Sequence, residues 1–451
     1  MKPFTVREAI RATGGQWHGT DEQRNGTILR VVTDSRSVRP GDMFVAFSGA
    51  RADGHSFMAD CLKKGAVCCI SERMPTEEER PCIQVPGSLQ AIGALAGWYR
   101  SQFTIPVIGV TGSVGKTTTK EMLASVLSEA FRVHKTEKNH NNELGVPWTL
   151  LALEEEHQAA VVEMGISGFG EMRRLTGMVR PDIAVITTIG DAHLEFLGDR
   201  NGVLRAKTEI FEGMRPDGTA ILNGDDPLLR SYAAPVRTVT YGLSPELDFY
   251  ATDVDCRADG RTRCRICHHG RCFEAEMDAF GLPAVYAALA ACAAGWTLGM
   301  DDASLREGLK RYQTVGDRAR VIKAEGCTII SDCYNANPNS VKAALRSLSM
   351  LEGRKVAVLG DMKELGPRSP LLHREVGARA AEVCDLVLAC GPLAEDILRG
   401  AEDAGGKAEW FRERDELIAA LPRLIRRGDN VLVKASRAMQ LEAVTEALGD
   451  L

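Results

Sequence analysis

The run Thr111-Gly112-Ser113-Val114-Gly115-Lys116-Thr117-Thr118-Thr119-Lys120 has the residue types and spacing of a phosphate cradle. Glycines let backbone N–H groups turn inward, and the start of a helix adds the positive end of its dipole. Gly112, Ser113, Val114, Gly115, Lys116, Thr117 and Thr118 are therefore the expected nucleotide contacts. Lys116 is placed to reach the terminal phosphates, and the Thr117 hydroxyl to sit on a magnesium ion. The usual spacing asks for a glycine where Val110 stands, so this is the shorter Gly-x-x-Gly-Lys-Thr-Thr form. Glu163 follows an apolar run, and His193 and Glu195 come just after another. A carboxylate and an imidazole at such strand ends would complete a magnesium shell. The amide-rich stretch Asn139-His140-Asn141-Asn142 suits phosphates or an oxyanion, and a nucleoside triphosphate is the expected ligand.

These groups need strand ends to carry them. Residues 105–110 read as a buried strand and 117–131 as the helix after it. Further strands over 159–164, 183–189 and 219–222 alternate with helical sequence, which implies a parallel sheet covered by helices. That pattern fills a central block, 104–313. The block before it, 1–103, holds short strands at 43–47 and 66–70, a polar surface loop at 71–80 and a helix over 89–99. The block after it, 314–451, repeats the alternation, with strands at 327–331, 355–359, 386–390 and 431–433. The fold class is α/β in three domains: a small N-terminal α/β domain, a central phosphate-loop ATPase domain and a C-terminal Rossmann-like domain. Two adjacent α/β domains leave a crevice, the usual home of a ligand.

Composition narrows the partners. With 44% hydrophobic and 26% charged residues, the chain of 451 residues reads as an ordinary globular protein. A net charge of −6 argues against nucleic acid as the main partner. No apolar run is long enough to span a bilayer, and Met1-Lys2-Pro3-Phe4 does not open a signal peptide. The thirteen cysteines read as reduced cytosolic thiols, most of them small buried hydrophobes, and a cytoplasmic monomer is the separate expectation. Cys264, Cys267 and Cys272, with His268 and His269, have a spacing that admits zinc. A single compact cluster in a surface hairpin is nevertheless weaker than two separated cysteine pairs.

Several longer motifs carry a resemblance. The phosphate loop, Asn139-x-Asn141-Asn142-Glu143-x-Gly145-x-Pro147, Glu163-Met164-Gly165, Asp191-Ala192-His193-Leu194-Glu195 and Ala206-Lys207-Thr208-Glu209-Ile210 together resemble the ATP-dependent Mur ligases of peptidoglycan synthesis. Asp332-Cys333-Tyr334-Asn335-Ala336-Asn337-Pro338-x-Ser340 and Leu359-Gly360-Asp361-Met362-x-Glu364-Leu365-Gly366 look like the member that joins D-alanyl-D-alanine to a UDP-N-acetylmuramoyl-tripeptide. Thr33-Asp34-Ser35-Arg36 and Asp53-Gly54-His55 fit its nucleotide-sugar domain.

The resemblance implies ATP and Mg2+ as cofactors and an acyl phosphate as intermediate. Lys116, Lys207 and His193 become the catalytic groups. Thr117, Glu163, His193 and Lys207 become the metal ligands, since a lysine at the Lys207 position is commonly carbamylated in this family. Asn142, Arg318, Asp332, Tyr334 and Asn335 would contact the nucleotide. Ser35 and Arg36 would hold the uridine end of the acceptor, and Asn141, Lys434, Ser436 and Arg437 the reacting substrates. Lys434 and Arg437 are the basic groups expected to read the carboxylate of the dipeptide.

One segment departs from the family. Gly-x-His-Asn-x-x-Asn becomes Gly281-Leu282-Pro283-Ala284-Val285-Tyr286-Ala287, so the amides that help hold adenosine are absent. Two alternatives stay open at this point: the neighbouring ligase that adds the third amino acid, and a nucleotide-dependent switch that makes no bond.

Overall fold

The computed structural model describes residues 1–49, 52–316 and 318–450. At its centre is a nine-stranded sheet. Its spatial order is Arg271–Met277, Thr262–His268, Phe249–Cys256, Arg237–Gly242, Thr219–Asn223, Ile183–Ile186, Val107–Thr111, Ala159–Glu163 and Val133–Lys135. The strands from Val133–Lys135 through Phe249–Cys256 pair in parallel, and the last two are an antiparallel extension. The apolar runs explain the arrangement, because a strand covered on both faces has no polar face to keep.

Alternation assigns each residue to one layer. Ile108, Val110, Val161, Ile183 and Val185 face the helices Lys116–Leu127, Leu282–Thr297 and Asp302–Arg311. Ala160, Val162, Ala184 and Ile186 face the other way, toward Ser88–Arg100, Gly145–Leu151 and Glu171–Val179. The first of these helices belongs to the N-terminal block and is pinned onto the central layer. Tyr99 Oη donates to Leu153 O at 2.7 Å, and the Arg100 guanidinium donates to Val179 O and Phe103 O.

A five-stranded sheet occupies the N-terminal block, with Arg30–Val32, Asp42–Val45, Cys68–Ser71 and Cys82–Gln84 parallel and Gln16–His18 antiparallel at one edge. The third sheet has six strands, parallel except for Arg320–Lys323. Helices cover both of its faces. Mixed α/β layering in three blocks is thus what the hydrophobic pattern implied. No helix among the described residues is long and apolar enough to cross a membrane.

The cysteines differ from expectation. Cys267 and Cys272 stand opposite each other across the Thr262–His268 and Arg271–Met277 hairpin and are joined as a disulfide. The other eleven are free and buried. Cys264, an odd number of residues from Cys267 along one strand, points to the opposite face and packs in the core. The spacing that admitted zinc therefore does not converge, and no group of three metal-binding side chains is found among the described residues.

Candidate active site

The phosphate loop joins the Val107–Thr111 strand to the Lys116–Leu127 helix. Gly112 has φ of +146° and Gly115 +87°, conformations that L side chains rarely adopt. A Cβ on Gly112 would lie 1.9 Å from Thr187 Oγ1, so a side chain there would also displace the neighbouring strand end.

Thr187 and Thr188, which sequence reasoning passed over, lock this loop. Thr187 Oγ1 donates to Val114 O at 2.5 Å, Ser113 N–H donates to Thr188 O at 2.9 Å, and Val114 N–H donates to Thr188 Oγ1 at 3.2 Å. Ser113 Oγ accepts from Gly190 N–H. Ser113 and Val114 therefore shape the loop with their own N–H groups. The first helical turn, at Lys116, Thr117 and Thr118, offers the unpaired N–H donors a phosphate needs. The only local sign was two hydroxyl residues at the end of an apolar run.

Beside the loop opens a cleft of about 410 Å³ between the central and C-terminal sheets. Its lining brings together Lys116, Thr117, Thr118, Asn141, Asn142, Glu163 and His193 from one side and Arg318, Asp332, Tyr334, Asn335 and Lys434 from the other. Lys116 Nζ donates to Gly112 O at 2.8 Å. Burial holds its ammonium below the ordinary lysine value, and Glu163 pulls the other way. Glu163 Oε1 accepts from Thr117 Oγ1 at 3.2 Å and from Asn141 Nδ2 at 2.8 Å. Its Oε2 is buried with no hydrogen-bond partner. A buried carboxylate oxygen left without a donor, next to a hydroxyl and a phosphate cradle, fits a hard divalent cation.

Lys207 is 2% exposed, and burial drives its ammonium well below the ordinary value, with Lys116 adding to the effect. His193, at φ +55° just before the Leu194–Leu197 helix, reaches across to Glu364, Nδ1 to Oε2 at 3.2 Å. Burial lowers its pKa despite that neighbour. Asn142 spends its side-chain oxygen on Leu144 and Gly145 N–H groups, so only its amide nitrogen is left for the cleft.

The C-terminal wall is equally specific. The Arg318 guanidinium lies 4.0 Å from the centroid of the Tyr334 ring. Lys434, 2% exposed, donates to Asp332 Oδ2 at 2.6 Å and to Asn335 O at 2.9 Å. Its charge is thereby matched before any substrate arrives. Ser436 Oγ accepts from Lys363 N–H, and Arg437 is an exposed residue paired with Glu442. These two do not line the cleft. The expectation that Lys434 and Arg437 read a free carboxylate thus meets two cations already held by acids. Ser35 and Arg36 line a different depression, about 730 Å³, with Phe44, Phe57 and Trp148.

Farther along the cleft, Ala279, Phe280, Pro283 and Ala284 face Ala343, Ala344 and Ser347. Thr314 and Ser347 donate their hydroxyls to Asp278 O and Ala343 O. Among the described residues of this stretch, none carries a side-chain amide or acid to tell an amino from a keto purine. GTP is therefore expected to replace ATP with a kcat/KM within about tenfold, each absent base contact being worth ~1 kcal/mol. A preference for ATP of several hundredfold, measured by phosphate release, would show another reader at work.

Known proteins share this architecture. The description "Mur ligase family, catalytic domain" matches residues 27–99, "Mur ligase middle domain" 110–295, and "Mur ligase, glutamate ligase domain" 317–437. The UDP-N-acetylmuramoyl-tripeptide–D-alanyl-D-alanine ligase of Bacillus subtilis strain 168 is 38% identical over 454 residues, covering 98% of each chain. MurF from Acinetobacter baumannii superposes with a TM-score of 0.92 at 34% identity over 100% of both chains. MurF ligase from Thermotoga maritima, solved in complex with ADP, gives 0.84 at 33% identity, covering 93% of this chain and 97% of its own. Likeness of this degree from end to end makes this chain a member of the Mur ligase family.

Proposed function

We infer that this chain is an ATP-dependent, ADP-forming ligase of peptidoglycan precursor synthesis. It joins D-alanyl-D-alanine to UDP-N-acetylmuramoyl-tripeptide, working as a monomer in the cytoplasm. The observation that carries the reading is the 38% identity, over 98% of both chains, to a curated ligase of that description. We assign residues 1–103 to the UDP-sugar end of the acceptor, 104–313 to ATP, and 314–451 to the amine substrate and further nucleotide contacts. Ser35 and Arg36 hold the uridine nucleotide in the N-terminal depression.

The chemistry runs in two displacements. A carboxylate oxygen of the tripeptide attacks the γ-phosphorus, the bond to the β–γ bridging oxygen breaks, and ADP leaves. The dipeptide nitrogen then attacks the acyl carbon, gives up a proton, and expels inorganic phosphate from the tetrahedral intermediate. Both steps ask for charge neutralisation and alignment more than for a protein nucleophile. Lys116 holds the γ-phosphate, the first helical turn donates N–H groups to it, and Arg318 approaches from the C-terminal side. Asp332 and Tyr334 position the nucleoside. Asn141 steadies the Glu163 carboxylate. A magnesium ion, held by Thr117, Glu163, His193 and a carbamate on Lys207, would neutralise the phosphate charge.

The test is phosphate release in a screen of uridine-linked muramoyl peptides against amines. Release is expected when ATP, UDP-muramoyl-tripeptide and D-alanyl-D-alanine are all present, and little when any one is omitted. L-lysine and diaminopimelate should be poor amines. Efficient joining of a single amino acid to UDP-muramoyl-dipeptide would overturn the substrate assignment, and free ATP turnover without acceptor or amine would favour a switch.

A further inference from the structure

The segment 190–193, which follows the Ile183–Ile186 strand, touches both sides of the cleft. On the phosphate side, Gly190 N–H donates to Ser113 Oγ at 2.9 Å. On the other side stands Asn339, in the helix Pro338–Leu348 of the C-terminal block. Its side-chain oxygen accepts from Asp191 N–H at 3.1 Å, and a Cβ on Gly190 would lie 2.8 Å from its Cγ. Two residues farther on, His193 Nδ1 lies 3.2 Å from Glu364 Oε2, in the loop after the Lys355–Gly360 strand. Both partners have left-handed backbones, His193 at φ +55° and Glu364 at φ +63°. That conformation is unfavourable for L side chains and persists only where the surroundings impose it. Around Glu364 they do: Asp361 Oδ1 accepts from the Leu393 and Ala394 N–H groups, and Met362 N–H donates to His373 Nε2. Glu364 makes no other ion pair among the described residues, so the held loop presents its carboxylate to His193 alone.

We propose that Glu364 is the positioning residue for His193, so that the imidazole is set at the phosphate site only when the C-terminal block lies against the central one as it does here. The assignment rests on the ligase reading above. By accepting from Nδ1–H, the carboxylate fixes the tautomer and the plane of the ring and leaves Nε2 as the bare nitrogen, the one able to hold a divalent cation. The carboxylate and the ring come from different blocks, and Asn339 grips the same segment from the same side as Glu364, so both contacts are lost together when the blocks part. Transfer of the γ-phosphoryl group is thereby tied to the presence of the block assigned to the amine substrate, and ATP is not turned over in an open cleft.

The experiment is a double-mutant cycle over His193→Ala and Glu364→Ala, read as the affinity of the protein–ADP complex for Mn2+ by electron paramagnetic resonance. Glu364→Ala should weaken Mn2+ binding about tenfold and lower kcat for ligation about 30-fold, with the KM values little changed, as for the loss of a partner that orients a metal ligand. Glu364→Gln, whose side-chain carbonyl still accepts from Nδ1–H, should stay within about threefold of the wild type in both. Glu364→Gly, which suits the left-handed backbone and removes only the side chain, should match Glu364→Ala and so separate the carboxylate from backbone strain. In the His193→Ala background, removal of Glu364 should cost almost nothing further, because a residue that acts through the ring has nothing left to position. General loosening of the fold gives additive losses and no rescue by glutamine. Wild-type Mn2+ affinity and kcat in Glu364→Ala, equal losses in the alanine and glutamine variants, or an undiminished loss without His193 overturns the assignment. The Mn2+ cycle uses neither muramoyl peptide nor amine, which separates the two readings. A wild type that binds Mn2+ and ADP but joins no dipeptide sinks the substrate reading while the cycle still decides Glu364; a wild type that ligates while the cycle is additive sinks Glu364 alone.

Discussion

Lys116→Ala is expected to lower phosphate release by about a thousandfold in a protein that still folds, which makes it the largest single effect at this site. The lysine opens the helix after the phosphate loop, and its amine already reaches back to Gly112 O, inside the cradle. Burial works against its charge while Glu163 supports it, so the ammonium is poised for a stronger anion. The transferring phosphoryl group is that anion, and a fixed cation in a water-poor cleft acts without reorganising as charge moves. Loss of one such preorganised group costs about 3–4 kcal/mol, or two to three decades in rate. The measurement is single-turnover phosphate release at saturating ATP, with circular dichroism to verify folding. Turnover near the wild-type rate in a folded variant would remove Lys116 from the mechanism.

Lys207→Ala is expected to lose activity by about a hundredfold and to regain part of it when formate or acetate is added. At 2% exposure, and next to Lys116, the Lys207 amine is driven toward its neutral form. A neutral amine adds carbon dioxide, R–NH2 + CO2 → R–NH–COO− + H+, which turns an unfavourable buried cation into an anionic ligand. Because that addition releases a proton, it is favoured as pH rises. Enzyme stripped of carbon dioxide should therefore recover more fully at pH 8.5 than at pH 6.5 when both samples are equilibrated with the same partial pressure of carbon dioxide. Mass spectrometry of the intact chain gives an independent readout. Loss without rescue by small carboxylates, and no dependence on carbon dioxide, would leave Lys207 as a structural residue.

Features that depend on near neighbours along the chain are legible without the fold. The phosphate loop is legible because two glycines, a lysine and a threonine act within one turn. The strands over Val107–Thr111, Ala159–Glu163 and Ile183–Ile186 are legible because an apolar run buried on both faces has no competing pattern. Glu163 and His193 are legible as cleft-lining residues because they stand after strands at the carboxyl edge of such a sheet.

Tertiary structure decided the pairings that no spacing encodes. Thr187 and Thr188 lock a loop more than seventy residues earlier, at separations of 73 and 74. Lys434 meets Asp332 across a separation of 102, so a cation that looked free in sequence is matched in the fold. Cys267 and Cys272 became partners, and Cys264 did not, because a strand sends residues of odd separation to opposite faces. The meeting of His193 with Glu364 exists only where a loop of the C-terminal block closes over the end of the central sheet, and such closure is set by packing between elements whose local patterns are independent of each other.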